Sequence, residues 1–133
     1  MLAGKALQPL RSSRQFRLVY DRGVRLHSPY FSLFILGTSE QEPRLGITVT
    51  RKVGCAVVRN RCKRRLREVA RRSTLPLLTG IGCDIVINAK TAMIKAHLSD
   101  LVVSLSQSLT KYRENISRQG GRNTNGASSD SPS

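Results

Sequence analysis

The pattern of apolar and polar residues along the chain predicts four β-strands. Apolar residues occupy every second position in 44–51, which predicts a strand with one apolar and one polar face. The segment 30–36 is rich in strand-forming residues, and 84–89 has the composition of a buried strand. A further short strand is predicted over 24–28.

Three helices are predicted from capping residues and from apolar residues spaced three or four apart. Their predicted extents are Ser12 or Ser13 to Arg22, 55–72, and from within 92–99 to near Arg113. Gly23 would end the first helix, and Pro76 lies just beyond the predicted end of the second. The apolar stripe of the third helix consists of Leu98, Leu101, Val102, Leu105 and Leu109. The predicted element order is therefore α-β-β-β-α-β-α.

The composition divides the chain into one domain and a polar tail. Residues 1–114 are predicted to form a single domain, of which 1–11 are loosely held, and 115–133 are predicted to be disordered. No apolar run approaches the ~20 residues of a membrane span, and the N-terminus lacks the apolar stretch of a signal peptide. Three cysteines without a CxxC pair argue against a disulfide framework or a zinc site. A reducing, cytoplasmic location is expected.

The charge of the chain indicates a polyanionic partner. Lys and Arg number 23 against 8 Asp and Glu, which gives a net charge of +15. Residues 51–72 alone contain ten basic side chains and one acidic side chain, Glu68. A solvated surface helix usually mixes the two signs, because like charges repel along a helix. Most of these residues are arginines, whose planar guanidinium group can bind phosphate through two hydrogen bonds.

On a helical wheel, the segment 55–72 separates an apolar stripe from a broad basic surface. Within this stripe, Arg59 is the exception, and its long side chain is expected to reach out past the edge of the core. The stripe offers small residues and cysteines rather than the large apolar side chains of a membrane-surface helix, so nucleic acid is favoured over a membrane. The residues of the predicted stripe are Cys55, Val58, Cys62, Leu66, Val69 and Ala70.

The segments 44–49 (RLGITV) and 51–68 (RKVGCAVVRNRCKRRLRE) resemble the protein component of bacterial ribonuclease P. The RNR core followed by KRRLRE is highly specific, and the similarity spans about residues 10–112. It extends upstream to Phe16, Tyr20 and Gly23, and downstream to the DIV sequence that begins at Asp84. The resemblance implies a two-layer α/β sandwich with a left-handed βαβ crossover, against the usual right-handed rule.

The resemblance also implies a function and a set of site residues. The protein would be a subunit of a ribonucleoprotein that removes the 5′ leader of precursor tRNA, with the catalytic Mg²⁺ ions held by the RNA. A central cleft would bind the single-stranded leader through Phe16, Tyr20 and Phe34, whose rings suit unpaired bases. One protein per RNA is expected, with no cofactor on the protein. The residues expected to face the catalytic RNA are Arg51, Lys52, Arg59, Asn60, Arg61, Lys63, Arg64, Arg65 and Arg67.

One residue departs from the family pattern, and two others lie at positions where the family pattern varies. Arg51 replaces a common lysine, and Cys55 and Cys62 occupy variable positions. These two cysteines lie seven residues apart on a predicted helix, which is too far for a disulfide, and both are predicted to face the core. Ordinary core packing remains an alternative for the three aromatic residues.

Other functions remain open on the residues alone. The basic helix would equally suit a structural RNA-binding protein, such as a ribosomal protein, or a helix that binds the major groove of DNA. The DNA hypothesis usually requires a dimer, and no dimer seam is evident beyond the core stripes. His27 and His97 stand apart from any triad or metal-ligand pattern, so no catalytic or metal-binding residue is predicted in the protein.

Overall fold

The computed structural model describes residues 8–39, 42–78 and 80–119 and has the predicted α/β class and element order. A two-residue strand, β1, precedes the predicted elements, and a short 3₁₀ helix, Thr91–Lys95, lies between the last strand and the last helix. The strands are β1 (Gln8–Pro9), β2 (Val24–His27), β3 (Phe31–Gly37), β4 (Arg44–Thr48) and β5 (Cys83–Ala89). The helices are α1 (Ser13–Arg22), α2 (Ala56–Leu78) and α3 (Leu98–Gln119).

The five strands form one mixed sheet in the order β1-β4-β5-β3-β2. The central strand β5 pairs parallel with β4 and antiparallel with β3. Because β4 and β5 are parallel neighbours, the chain must cross over between them, and α2 forms this crossover. The left hand that the resemblance implies for the crossover stays a prediction.

The main core lies between the sheet and the helices α2 and α3. Leu33 and Ile85 from the sheet, Leu66 from α2, and Leu101 and Leu105 from α3 are at most 1% exposed. A second, smaller cluster lies on the opposite face of the sheet, where α1 packs. The sheet with α2 and α3 thus forms the expected two layers, and α1 covers part of the other face.

Helix α1 begins and ends as predicted. The glycine at its end is required because there is no room for a side chain, and not because of its backbone angle. At the start, Ser12 Oγ accepts from the Gln15 N–H at 3.1 Å, and Gln15 Oε1 accepts from the Ser12 N–H. At the end, Gly23 has φ −77°, which any residue adopts. A Cβ at Gly23 would lie 2.5 Å from the carbonyl oxygen of Val19 and 2.9 Å from that of Ile35. The glycine therefore lets α1 turn directly into the sheet.

The predicted ends of β4 and α2 are wrong. Strand β4 stops at Thr48 rather than 51, because the Val53 N–H donates to the Thr50 carbonyl at 3.0 Å and closes a turn. Helix α2 continues past 72 and through Pro76 to Leu78. Leu78 is fully buried in the main core, and Ser73 accepts a hydrogen bond from Ser106 of α3. Packing against α3 thus stabilises the additional turns.

The two ends of the domain also differ from the prediction. Residues Gln8–Pro9, in the segment expected to be loosely held, pair parallel with β4. Helix α3 runs to Gln119 rather than to Arg113, because Ile116 still packs against the main core. Residues 115–119 of the predicted disordered tail are therefore helical, and the rest of that prediction, 120–133, lies outside the described residues.

Candidate nucleic-acid interface

The apolar stripe of α2 anchors the basic helix to the core. Cys62, Leu66 and Val69 are buried, as predicted from the helical wheel, and Val58 is half-buried. The prediction for Cys55 is wrong, since its side chain is exposed. This residue precedes the first turn, and its carbonyl accepts from the Arg59 N–H at 2.9 Å. The side chain therefore sits at the N-terminus of the helix instead of on its packed stripe.

The position of Cys55 changes the chemistry of its thiol. The backbone N–H groups of Val58 and Val57 lower the pKa of the Cys55 thiol, and the Arg59 charge adds to the effect. Burial instead raises the pKa of Cys62. Both cysteines were predicted to face the core, but only the Cys62 side chain is buried, and the Cys55 side chain is exposed.

The surface of α2 opposite the stripe, together with the turn before it, forms a basic face. Six cations and one amide compose this face; among the described residues, none of the six cations has an acidic partner. Lys63 is half-buried and the others are exposed. A shallow depression on this face is lined by Val57 and by four of its polar residues. The members of the basic face are Arg51, Lys52, Asn60, Arg61, Lys63, Arg64 and Arg67.

Two predicted RNA contacts, Arg59 and Arg65, are engaged inside the protein. The half-buried Arg59 donates to the Gly54 carbonyl at 3.1 Å, so its guanidinium group folds back over the first turn of α2. Arg65 donates to the carbonyl oxygens of Met93 and Ala96. These bonds connect α2 to the 3₁₀ helix that precedes α3. The helical wheel places Arg65 on the basic surface because it cannot show which element packs beside that position.

The end of the basic segment is partly neutralised. Arg71 and Arg72 contact the same Glu68 carboxylate oxygen, at 2.6 and 2.7 Å. Hydrogen bonds from the two arginines lower the pKa of the Glu68 carboxyl, and the bond from Arg71 has the largest effect. The positive charge available to a partner is therefore concentrated in the first half of α2 and in the turn before it.

The three predicted leader-binding aromatics lie together on the α1 face of the sheet. Phe16 lies over Gly46, where a Cβ would come within 2.5 Å of its ring. Tyr20 and Phe34 form an edge-to-face pair with centroids 4.9 Å apart, and the Arg25 guanidinium lies 5.4 Å from the Phe34 centroid. Phe16 and Phe34 also pack on the smaller core cluster. The alternative of ordinary core packing therefore applies in part to these two residues. Tyr20 is 38% exposed and offers the most accessible ring of the three.

A row of polar side chains lies beside these aromatics. The strand register aligns Thr48, Asn88, Ser32 and His27 across four strands on the α1 face. Asn88 Oδ1 accepts from the Tyr20 hydroxyl at 2.9 Å and from the Thr48 hydroxyl. We refer to this row and the aromatic group together as the cleft, after the leader-binding cleft that the family resemblance predicts. Sequence reasoning did not identify Thr48 or Asn88 as site residues, although each is a polar residue directly after an apolar residue near the end of its strand.

The cleft and the basic face meet at one edge of the sheet. Thr48 ends β4, and the chain continues directly into Arg51 and Lys52. Three and four residues of extended chain span at most about 11 and 14 Å, so Arg51 and Lys52 lie close to the Thr48 end of the polar row. A single-stranded RNA segment in the cleft would pass near the basic face.

The described residues contain no group of three His, Cys, Asp or Glu side chains arranged to hold a metal ion. None of the described helices is long and apolar enough to cross a membrane. His27 lies on β2 and His97 just before α3.

Comparisons with known proteins identify the family. The family model for ribonuclease P matches residues 5–113. A ribonuclease P protein component from Nitratiruptor is 36% identical over 115 residues, covering 86% of this chain and 97% of the relative. One from Syntrophus aciditrophicus is 34% identical over 115 residues, covering 86% and 95%.

Solved structures support the same assignment. The ribonuclease P protein from Thermotoga maritima superimposes with a TM-score of 0.69 at 30% identity, covering 78% of this chain and 96% of that chain. The Staphylococcus aureus protein gives a TM-score of 0.68 at 25% identity, covering 81% and 96%. The sequence motif, the fold and these matches together show that the chain belongs to the family of ribonuclease P protein components.

Proposed function

We propose that this protein is the RNA-binding subunit of a ribonucleoprotein that removes the 5′ leader of precursor tRNA. The observation that carries the proposal is the meeting of two unlike surfaces at one edge of the sheet. The basic face suits a structured RNA, and the adjacent cleft suits a single strand. A protein that binds both at once can hold a precursor tRNA leader against its partner RNA.

The basic face would bind the RNA subunit. Its arginines and lysines are free of acidic partners among the described residues, and arginine is matched to phosphate oxygens in geometry as well as in charge. Arg59 and Arg65 would contribute mainly by shaping α2, because their guanidinium groups already bind backbone carbonyls.

The cleft would bind the leader. The Tyr20 ring is exposed and can stack on an unpaired base, which is worth about 1–3 kcal/mol per base and tolerates any sequence. Phe16 and Phe34 would support this ring and the floor of the cleft. In this proposal the partner RNA holds the catalytic Mg²⁺, the protein acts in the cytoplasm without a cofactor of its own, and one protein serves each RNA.

Reconstitution tests the proposal directly. Protein is added to a bacterial ribonuclease P RNA at low Mg²⁺, and cleavage of a precursor tRNA is measured together with the affinities for precursor and mature tRNA. We expect the protein to increase 5′ cleavage and to favour the precursor over the mature tRNA. A structural RNA-binding protein would bind the RNA and leave both quantities unchanged.

A pair of variants on α1 tests the leader assignment. Tyr20→Ala removes the exposed ring and should weaken precursor binding by roughly 5- to 100-fold, with little effect on mature tRNA. Leu18→Ala is the control, since Leu18 is 42% exposed on the same helix and belongs to neither surface. An equal loss for precursor and mature tRNA in Tyr20→Ala would exclude leader binding by this ring.

A further inference from the structure

Three arginines outside the basic face precede Tyr20 at intervals of three residues. Arg17 and Arg14 lie on α1, and Arg11 continues the spacing directly before the cap residue Ser12. Helical residues three apart are neighbours, with Cβ atoms about 5–6 Å from one another. The arginines therefore follow a line from the exposed Tyr20 ring to the N-terminal end of the helix. We refer to Arg11, Arg14 and Arg17 as the arginine ridge.

The arginine ridge faces solvent and is separate from the basic face. All three of its side chains are exposed, whereas Val19 on the same helix is fully buried. A step of three residues turns about 60° around a helix, so Tyr20, Arg17 and Arg14 lead from the cleft onto the outer surface of α1. Helix α2 packs on the opposite side of the sheet.

The charge of the arginine ridge is not balanced within the described part of the protein. Asp21 is the only acidic residue in the sequence of α1, and among the described residues it forms no ion pair with the ridge. Arg11 makes a hydrogen bond to Gln15, but through its backbone N–H, which leaves the guanidinium group available. Because like charges repel between neighbouring positions of a helix, an external anion would relieve a repulsion that the fold itself retains.

The position of the ridge indicates which anion it would bind. It begins at the ring on which an unpaired leader base is proposed to stack, so the strand in the cleft can reach it without a break. Arginine binds phosphate oxygens through two hydrogen bonds, and successive arginines along one line suit the successive phosphates of a single strand. This continuity favours the same strand over a separate RNA or an acidic protein.

We propose that the arginine ridge binds the phosphate groups of leader nucleotides upstream of the base on Tyr20. The leader path would then extend beyond the cleft onto the outer surface of α1. The inference rests on the proposed function, since it concerns the same strand. Contacts to phosphates carry no sequence information, so the ridge would strengthen the binding of long leaders whatever their sequence.

The test uses the reconstituted holoenzyme and precursor tRNAs whose leaders are lengthened one nucleotide at a time. The leader length at which Tyr20→Ala first weakens binding marks the nucleotide on the ring. Arg17→Gln, Arg14→Gln and Arg11→Gln should weaken binding only at longer leaders, with onsets in that order, each by roughly 1.5- to 5-fold. For a long leader, the double variant of Arg14 and Arg17 should also reduce the steepness of the salt dependence by about 1.4.

Two matched variants serve as controls for this series. Arg22→Gln removes an exposed arginine of the same helix that lies outside the ridge, and it should have no effect at any leader length. Replacing Arg14 and Arg17 by lysine keeps both charges, so this variant should retain most of the salt dependence that the glutamine variant loses.

The possible outcomes separate this inference from the proposed function. If the ridge variants weaken binding already at the leader length that Tyr20→Ala marks, or weaken mature tRNA equally, the ridge binds another part of the RNA and the inference is wrong. An affinity of the wild-type enzyme that stops increasing at the marked length would also overturn it. In each of these cases the proposed function stands as long as the wild-type enzyme favours precursor over mature tRNA. If it does not, the proposed function itself fails.

Discussion

Replacing Arg61 and Arg64 with glutamine removes two of the six cations on the basic face. Both side chains are exposed, and among the described residues neither has an acidic partner. Glutamine retains hydrogen-bonding capacity and helix propensity, so the fold should be unaffected. The expected change is in the salt dependence of RNA binding, because each phosphate that the protein neutralises releases counterions.

The size of the change follows from the number of cations that the fold leaves free. Each neutralised phosphate contributes roughly 0.7 to 0.9 to the slope of log K against log salt concentration, so six contacts predict a slope of about −4 to −5.5. Loss of two contacts should reduce the steepness of this slope by about 1.5. Counting all ten basic residues of 51–72 would instead predict about −7 to −9 for the wild type. The measurement therefore distinguishes the face seen in the structure from the charge seen in the sequence.

The assay is fluorescence anisotropy with a labelled ribonuclease P RNA over a series of potassium chloride concentrations. Arg71→Gln is the matched control, since Arg71 is an exposed arginine on the same helix that already contacts Glu68 at 2.6 Å. It should change the slope much less than the double variant does. The reasoning is refuted if the double variant keeps the wild-type slope, or if the control alone makes the slope less steep by about 0.8, the full contribution of one phosphate contact.

Three further predictions test the fold and its thiols. Gly23→Ala forces a methyl group against two backbone carbonyls and should lower the free energy of unfolding by about 1–3 kcal/mol in urea denaturation; an unchanged midpoint would contradict the close approach. In alkylation by iodoacetamide followed by mass spectrometry, Cys55 should react first, because it is exposed with a lowered pKa; faster labelling of Cys62 would contradict this. Burial, with a contribution from the Asp84 charge, raises the pKa of Cys83 to about 12. Above pH ~9 the unfolded chain loses this proton while the folded chain keeps it, so stability should fall as pH rises, by up to about 1.4 kcal/mol per pH unit. Cys83→Ala should make this decline shallower in pH-dependent denaturation, and an identical decline would refute the assignment.

The elements of the fold could be predicted because their signals are local. The alternation in β4 and the serine cap of α1 depend on residues within a few positions of one another. The apolar stripe of α2 is equally local, and it correctly placed Cys62, Leu66 and Val69 in the core. Such patterns predict which face of an element is buried without any knowledge of its neighbours.

The errors occurred where a distant element decides the outcome. Helix α2 passes through Pro76 because α3 packs beside its last turns, and α3 extends beyond Arg113 because Ile116 reaches the core. Arg65 lies on the basic side of the wheel, yet the 3₁₀ helix beside it and the residue that follows this helix each offer a carbonyl acceptor. The sequence around a proline, a polar segment or an arginine does not show which distant element packs beside it.

The parallel pairing of β4 and β5 explains how this small domain can present both surfaces at once. Parallel neighbours end at the same edge of a sheet, so Thr48 and Asn88 lie side by side in the polar row. The chain leaving that edge must cross to the other side before it can return to β5, and its first residues after β4 include Arg51 and Lys52. The first residues of the crossover therefore belong to the basic face, and they follow the strand end at which the polar row of the cleft lies. A strand bound in the cleft would therefore pass next to an RNA bound on the basic face, which is the arrangement that the proposed function requires.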